Sequence, residues 1–338
     1  MHPGITAALA DSGGLITRAT ALDLGLSPAM IRSLVRHGDW VLVRRGVYCD
    51  AAVWNHADEH VGRPRLRARA AILTMRRAWV LSHDSAAHEL GLAILTPQEP
   101  LVHITRPGFT GAWTEYGVKH HLARFRPDQV VEINGVRVLD AARTAIDIGR
   151  ERGTTDGLVA CDAALRMGVP RSALAAALEP MHHWPNVTSA RTSADLADPG
   201  AQNPGETLTR ELVLELGLGP VETQFPLWIG ERVAWCDLRV GCHVFEFDGR
   251  IKYQRLEDGG LAVRPDDVIW AEKKRERLIC AEGLGVSRVI WEDFWGERRE
   301  LAKQRLRAEY DVTVARFGSE LPQHLARAAA DIRGRRGA

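Results

Sequence analysis

The chain has 338 residues, 45% hydrophobic and 26% charged, a length that suits two or three domains with cores of their own. A formal net charge of +1 excludes a strong global field, so contact with nucleic acid would have to come from local basic patches. Five scattered cysteines without a C-x-x-C pair argue against a disulfide framework or a zinc ribbon, and neither a leader nor a spanning apolar run is visible; the expected setting is cytoplasmic, with no membrane.

Pro3 to Ala10 reads as a short opening helix. Thr17 to Leu24 is a second helix-sized segment ended by Gly25, and Ser27-Pro28 supplies an N-cap followed by proline at the first helical position. On the helix that follows, Ile31, Leu34 and Val35 form an apolar stripe, which leaves Arg32, Ser33 and Arg36 on the outer face. Trp40 to Val43 and Val47 to Cys49 flank Arg44-Arg45-Gly46 as a hairpin with a basic tip. Helix, turn, helix and hairpin make a winged helix-turn-helix pattern, expected over residues 1–52. Between residues 12 and 48, Arg18, Arg32, Arg36, Arg44 and Arg45 stand against Asp23 and Asp39, a local net charge of +3. A helix in a major groove with arginines on phosphates and base edges uses such an excess. DNA is therefore the expected partner, through Arg18, Arg32, Ser33, Arg36, Arg44 and Arg45; the competing use of the pattern is a protein-contact module with solvated arginines.

Residues 53–180 alternate helical and extended pieces, among them "LSHDSAAHELGL", "LVHITRP", "GVKHHLA" and "NGVRVLDAARTAIDIGRE". His83 and His88, five apart, share no helix face and read as packing or surface residues, while His120-His121 and His182-His183 read as solvated pairs. The winged start with "RRGVY", the "LSHDSAAHELGL" turn-helix and "NGVRVLDAARTAIDI" resemble the N-terminal part of AbiEi-type antitoxins of type IV toxin-antitoxin systems, as found in actinobacteria. The resemblance covers about half of the chain. It implies a winged helix that represses its own operon, a central α/β domain that supports antitoxin function, and a nucleotidyltransferase-type toxin as partner.

Residues 181–203 are rich in Pro, Ser, Thr, Asn and Gly and read as a linker, with one short helix in "VTSARTSADLA". Beyond it, Glu206 to Leu216 is an amphipathic helix stopped by Gly217, followed by extended "VETQFPLWI" and then "CDLRVGCHVFEFDG". Gly241-Cys242 between β-rich runs suits a two-residue type II′ turn, which sets Val240 against His243 and hence Asp237 opposite Glu246, with Asp248 on the same face. Opposed like charges destabilise a sheet unless something positive sits between them, and a bound cation is the simplest candidate. "PDDVIWAEKKRERLICAEGLG" reads as a helix, "VSRVIW" as a strand and "EDFWGERRELAKQRLRAEY" as a closing helix.

That order, over residues 204–312, is similar to the αβββαβ restriction-endonuclease-like core of PD-(D/E)XK enzymes, in the very short patch repair-like branch. The fold class expected for the whole is thus a multidomain α/β protein. The resemblance implies a DNA endonuclease using Mg2+ or Mn2+, with Glu206, Asp237 and Glu246 as metal ligands and Asp248 as a further acidic contributor. Asp248 stands where the family's lysine usually stands, and Lys252 where related domains often place a histidine. Lys273 and Arg275 are secondary candidates for the DNA backbone, their other reading being a salt-bridged helix face. Residues 313–338 read as a C-terminal helix with "RGRRGA" as a disordered basic tail. Two functions stay open: a metal-dependent endonuclease, or a noncatalytic autorepressor and antitoxin whose last domain only binds.

Overall fold

Thr17 and Ser27 each end an extended stretch and begin a helix, for the same reason: each side-chain oxygen accepts an otherwise unpaired N–H of the first turn, from Thr20 at 3.0 Å and from Met30 at 3.2 Å. In the computed structural model, which describes residues 3–75, 79–109, 111–249 and 274–337, these caps open α2 (Arg18–Asp23) and α3 (Pro28–His37). Before them come α1 (Pro3–Asp11) and β1 (Leu15–Thr17); after them come β2 (Trp40–Arg44) and β3 (Val47–Asp50). The three strands form an antiparallel sheet in the order β1-β3-β2, with Leu15 opposite Cys49 and Trp40 opposite Asp50. Ile5, Leu9, Ile16, Ala21, Ile31 and Trp40 make the core beneath α3.

The chain divides into two compact units, residues 1–195 and 196–338. In the first, α4 (Ala51–His56) and α5 (Gly62–Ile72) follow the small sheet, and Leu66 and Ala70 of α5 share a core with Leu15, Val47 and Cys49. The boundary expected at residue 52 therefore falls between elements that pack together.

A six-stranded mixed sheet comes next, built from β4 (Val80–Leu81), β5 (Val102–Arg106), β6 (Gly111–Glu115), β7 (Val118–Leu122), β8 (Val130–Ile133) and β9 (Val136–Leu139). Its order is β6-β7-β5-β4-β9-β8, with β5 parallel to β7 and β4 parallel to β9. The helix α6 (His83–Leu90) leaves β4 directly, while α7 (Ala141–Arg152), α8 (Thr154–Arg166), α9 (Arg171–Leu178) and α10 (Val187–Leu196) follow β9. Ile104, Val118 and Val138 meet Ala68, Ala71 and Ala86 in the core between sheet and helices. A Cβ on Gly157 would lie 2.5 Å from the Gly149 Cα, so α7 and α8 approach as closely as they do because both positions are glycine.

The second unit starts with α11 (Pro204–Leu216), capped by Asn203 and ended by Gly217 in the left-handed region. β10 (Glu222–Ile229), β11 (Arg232–Val240) and β12 (His243–Phe247) form an antiparallel meander, and β13 (Gly285–Val289) joins β12 in parallel. Residues 274–281 are helical, and the helices Gly296–Phe317 and Gln323–Gly337 follow β13. Phe225, Leu227, Cys236, Val244, Ile279 and Leu284 form its core together with Leu325 and Ala329.

That last helix corrects one expectation. Its apolar Leu325, Ala329 and Ile332 recur at helical spacing and are buried, so the basic segment after them continues the helix to Gly337 and is not a disordered tail. Arg333 is paired with Glu222. Among the described residues, no helix is long and apolar enough to cross a membrane.

Candidate functional site

Three groups of chemically capable side chains stand out, two of them anticipated. On α3, Ile31 is only 2% exposed, and this inward anchor turns Arg32 and Arg36, four residues apart, to solvent. Arg18 is exposed at the start of α2; Arg45 is exposed and Arg44 half-buried at the β2–β3 tip, where Gly46 takes φ +80°. Ser33 is half-buried, and its hydroxyl lies 3.2 Å from His37 Nδ1, so it is already engaged within α3. The solvent face of α3 and the strand tip thus carry most of the local +3, with two guanidiniums on one stripe of α3.

The acidic residues sit in the second unit. The β11–β12 ladder pairs Val240 with His243 and Leu238 with Phe245, the register read from Gly241-Cys242, and only Gly241 of the two turn residues has positive φ. One step further the ladder gives way: Asp237 Oδ2 accepts the Phe247 N–H at 2.9 Å. Glu246 accepts a hydrogen bond from Arg275 Nη2 at 2.7 Å, and the same nitrogen donates to the Trp235 carbonyl. Asp248 is paired with Arg288 at 3.5 Å. Glu206, buried in the first turn of α11, accepts from Asn203 Nδ2 at 2.6 Å, from the Gln202 N–H at 2.7 Å and from Gln224 Nε2 at 3.3 Å.

One of the two opposed carboxylates, Glu246, has a guanidinium beside it. Arg275, a secondary candidate for the DNA backbone whose other reading is a salt-bridged helix face, is paired with Glu246. A magnesium ion demands several oxygen ligands in near-octahedral array. Glu206, Asp237 and Glu246 do not bring three ligand atoms together, and Asp237 and Glu246 accept hydrogen bonds from the Phe247 N–H and from Arg275. Lys252 and Lys273 lie outside the described residues.

The third group went unread in the sequence. His83 opens α6, and His103 and His121 lie on the parallel neighbours β5 and β7. His121 pairs with Thr105, so it shares a sheet face with His103 two residues away, whereas His120 faces the other way and stacks on Trp113. His103 Nδ1 and His121 Nε2 are 3.0 Å apart, and the His83 ring stacks on His121 with centroids 3.9 Å apart. All three are buried, at 4%, 5% and 7% exposure, and so are His88 and His120; of the paired histidines, only His182-His183 is exposed. The expectation that His120-His121 is a solvated pair is corrected by this burial, while the buried His83 and His88 agree with the packing reading given to them. Burial pushes the imidazoles toward the neutral form, His103 down to about 3, His121 to about 4 and His83 well below the ordinary histidine value.

Beside them is a cavity of about 250 Å3, lined by His83, His121, Asp147, Arg150, Glu151 and Trp184 among others. Asp147 is shared by Arg143 at 2.8 Å and Arg150 at 3.3 Å, and Glu151 is paired with Lys119, so the acidic wall of the cavity is already balanced by cations.

Among solved structures, the chain is similar to the crystal structure of the RV2827C protein from Mycobacterium tuberculosis, at 17% identity over 61% of this chain and 78% of that one; the TM-score of 0.38 is too low to carry an argument. Comparison with curated proteins finds no match. Residues 5–49, the segment that holds α2, α3 and the arginine-bearing hairpin, match the model of a family described as transcriptional regulator, AbiEi antitoxin.

Proposed function

We propose that this chain is a DNA-binding transcriptional regulator of the antitoxin type, which binds an operator through a winged helix in residues 1–52 and answers to a nucleotidyltransferase-type toxin partner. The observation that carries this reading is the coincidence of the regulator family match over residues 5–49 with a capped helix showing Arg32 and Arg36 to solvent beside a basic hairpin tip. In this reading α3, about 15 Å long, enters the major groove, Arg32 and Arg36 reach phosphates or base edges, and Arg44, Arg45 and Arg18 hold the flanking backbone. Fluorescence anisotropy of the full chain on DNA from upstream of its own gene, against a scrambled duplex, tests it. Equal affinity for both duplexes at physiological salt would remove operator recognition from the reading.

A second reading, a DNA endonuclease in the second unit, draws its support from the helix-meander-parallel strand order. The pairing of Glu246 with Arg275 weighs against it. Incubating the full chain with plasmid, mismatched and branched DNA in Mg2+ and in Mn2+ decides, with Asp237→Asn as the control: cleavage abolished by that change supports a nuclease, and equal, negligible cleavage by both proteins leaves regulation as the function.

A further inference from the structure

We propose that His83, His103 and His121 form a binding site for a divalent transition metal of the zinc class, with a coordination position open to the adjacent cavity. One ligand atom from each residue lies within 4.8 Å of the others, and among the described residues this is the group that converges in this way. The donors are three imidazoles and no carboxylate, a set that suits zinc, nickel or copper and not magnesium or calcium.

The site is built by the fold. Parallel pairing of β5 with β7 places His103 and His121 on one face, and the chain turns out of β4 to bring His83 over them. His83 does so at φ +49°, a left-handed conformation that costs a non-glycine residue energy and is kept where surrounding structure demands it. Ser82 Oγ lies 3.0 Å from His83 Nδ1, the kind of outer contact that fixes the ring and its tautomer for a metal on the other nitrogen. Tetrahedral zinc with bonds of about 2.0–2.1 Å separates its ligand nitrogens by about 3.3 Å. His103 Nδ1 and His121 Nε2, at 3.0 Å, need to part by only a few tenths of an ångström, while His83, stacked on His121 with its ligand atom within 4.8 Å of theirs, must turn its ring toward the same point.

Three protein ligands leave zinc a fourth position, which in such sites is filled by water or by an oxygen of a ligand. His83 and His121 both line the cavity, so that position opens into it. Metal binding at these histidines and DNA binding at α3 use different residues and can fail separately.

The test uses the full chain, freed of metal with a chelator and titrated with zinc chloride by calorimetry and with cobalt chloride by visible absorption. The expected result is one ion per chain with a dissociation constant of about 1 μM or tighter, and intense cobalt bands of tetrahedral type. His103→Gln and His121→Gln should each weaken binding about 100-fold, while the exposed pair changed together, His182→Gln with His183→Gln, should leave it unaltered. If the ligand variants do not fold, ring-nitrogen NMR of the wild type decides, since zinc must shift three imidazole signals. Absence of saturable one-to-one binding of either ion overturns the proposal. So does binding that survives in folded His103→Gln and His121→Gln, or binding that depends on His182-His183.

Discussion

Replacing Arg36 and Arg45 together by alanine removes one exposed guanidinium from the outer stripe of α3 and one from the hairpin tip, and touches no core residue. Each phosphate neutralised by a bound protein contributes about −0.9 to the slope of log affinity against log salt. If Arg32, Arg36, Arg44 and Arg45 each cover one phosphate, the slope is about −3.6, and affinity falls about 150-fold between 50 and 200 mM salt. With two of the four gone the slope becomes about −1.8, and the same change in salt costs about 12-fold. Anisotropy titrations of both proteins on one operator duplex at four or more salt concentrations read this directly, with circular dichroism to show that α3 is retained. Parallel slopes for the two proteins would refute the assignment of these arginines to the backbone, whatever the absolute affinities. A loss of sequence preference without a change in slope would move them from phosphates to base edges.

Ile31→Ala deletes the buried side chain that anchors α3 and should destabilise the N-terminal helices by about 2–5 kcal/mol, lowering the first thermal transition of the full chain; an unchanged transition would mean that α3 is held from elsewhere. Ser27→Ala removes the side-chain acceptor for the Met30 N–H and should cost about 1 kcal/mol, measurable as a lower urea midpoint, with Ser27→Asp restoring most of it. His243 is buried between Thr313 Oγ1 and Ser287 Oγ, both at 2.7 Å, and burial brings its pKa down to about 4. The unfolded chain takes up a proton at this residue below about pH 6.5 and the folded chain does not, so its contribution is complete above that pH and is lost toward pH 4, about 3 kcal/mol in all. Urea midpoints from pH 7.5 to 4.5 should fall more steeply for wild type than for His243→Leu, and equal slopes would show that another group carries the acid sensitivity.

Short-range chemistry was readable. Ser27 and Gly217 bound their helices because capping depends on residues three or four apart, and Gly241-Cys242 set its hairpin because a two-residue turn leaves one register. The strand β1 was not, since three residues after two glycines carry no period of their own and pair only because β3 is available. Partners across long stretches of chain were hidden for the same reason. Arg275 reaches Glu246 from 29 residues away, and a helix face rich in both signs offered it nearer partners. The three histidines are separated by 20 and 18 residues, and no local spacing signals a site whose geometry comes from the parallel pairing of β5 with β7. One clue was present: His103 interrupts the apolar run "LVHITRP", and a polar ring inside a buried strand requires a partner.

The helix Gln323–Gly337 has a consequence for synthesis on the ribosome. The first unit, residues 1–195, leaves the ribosome before the second unit is complete, so it is free to fold first. The second unit cannot finish in the same progressive way, because Phe225, Leu227 and Val244 are covered by Leu325 and Ala329, supplied about eighty to a hundred residues later. A chain stopped near residue 320 would therefore carry a finished first unit tethered to an apolar surface still waiting for its cover. Such a fragment would be drawn to chaperones and proteases through one half while the other half stayed folded.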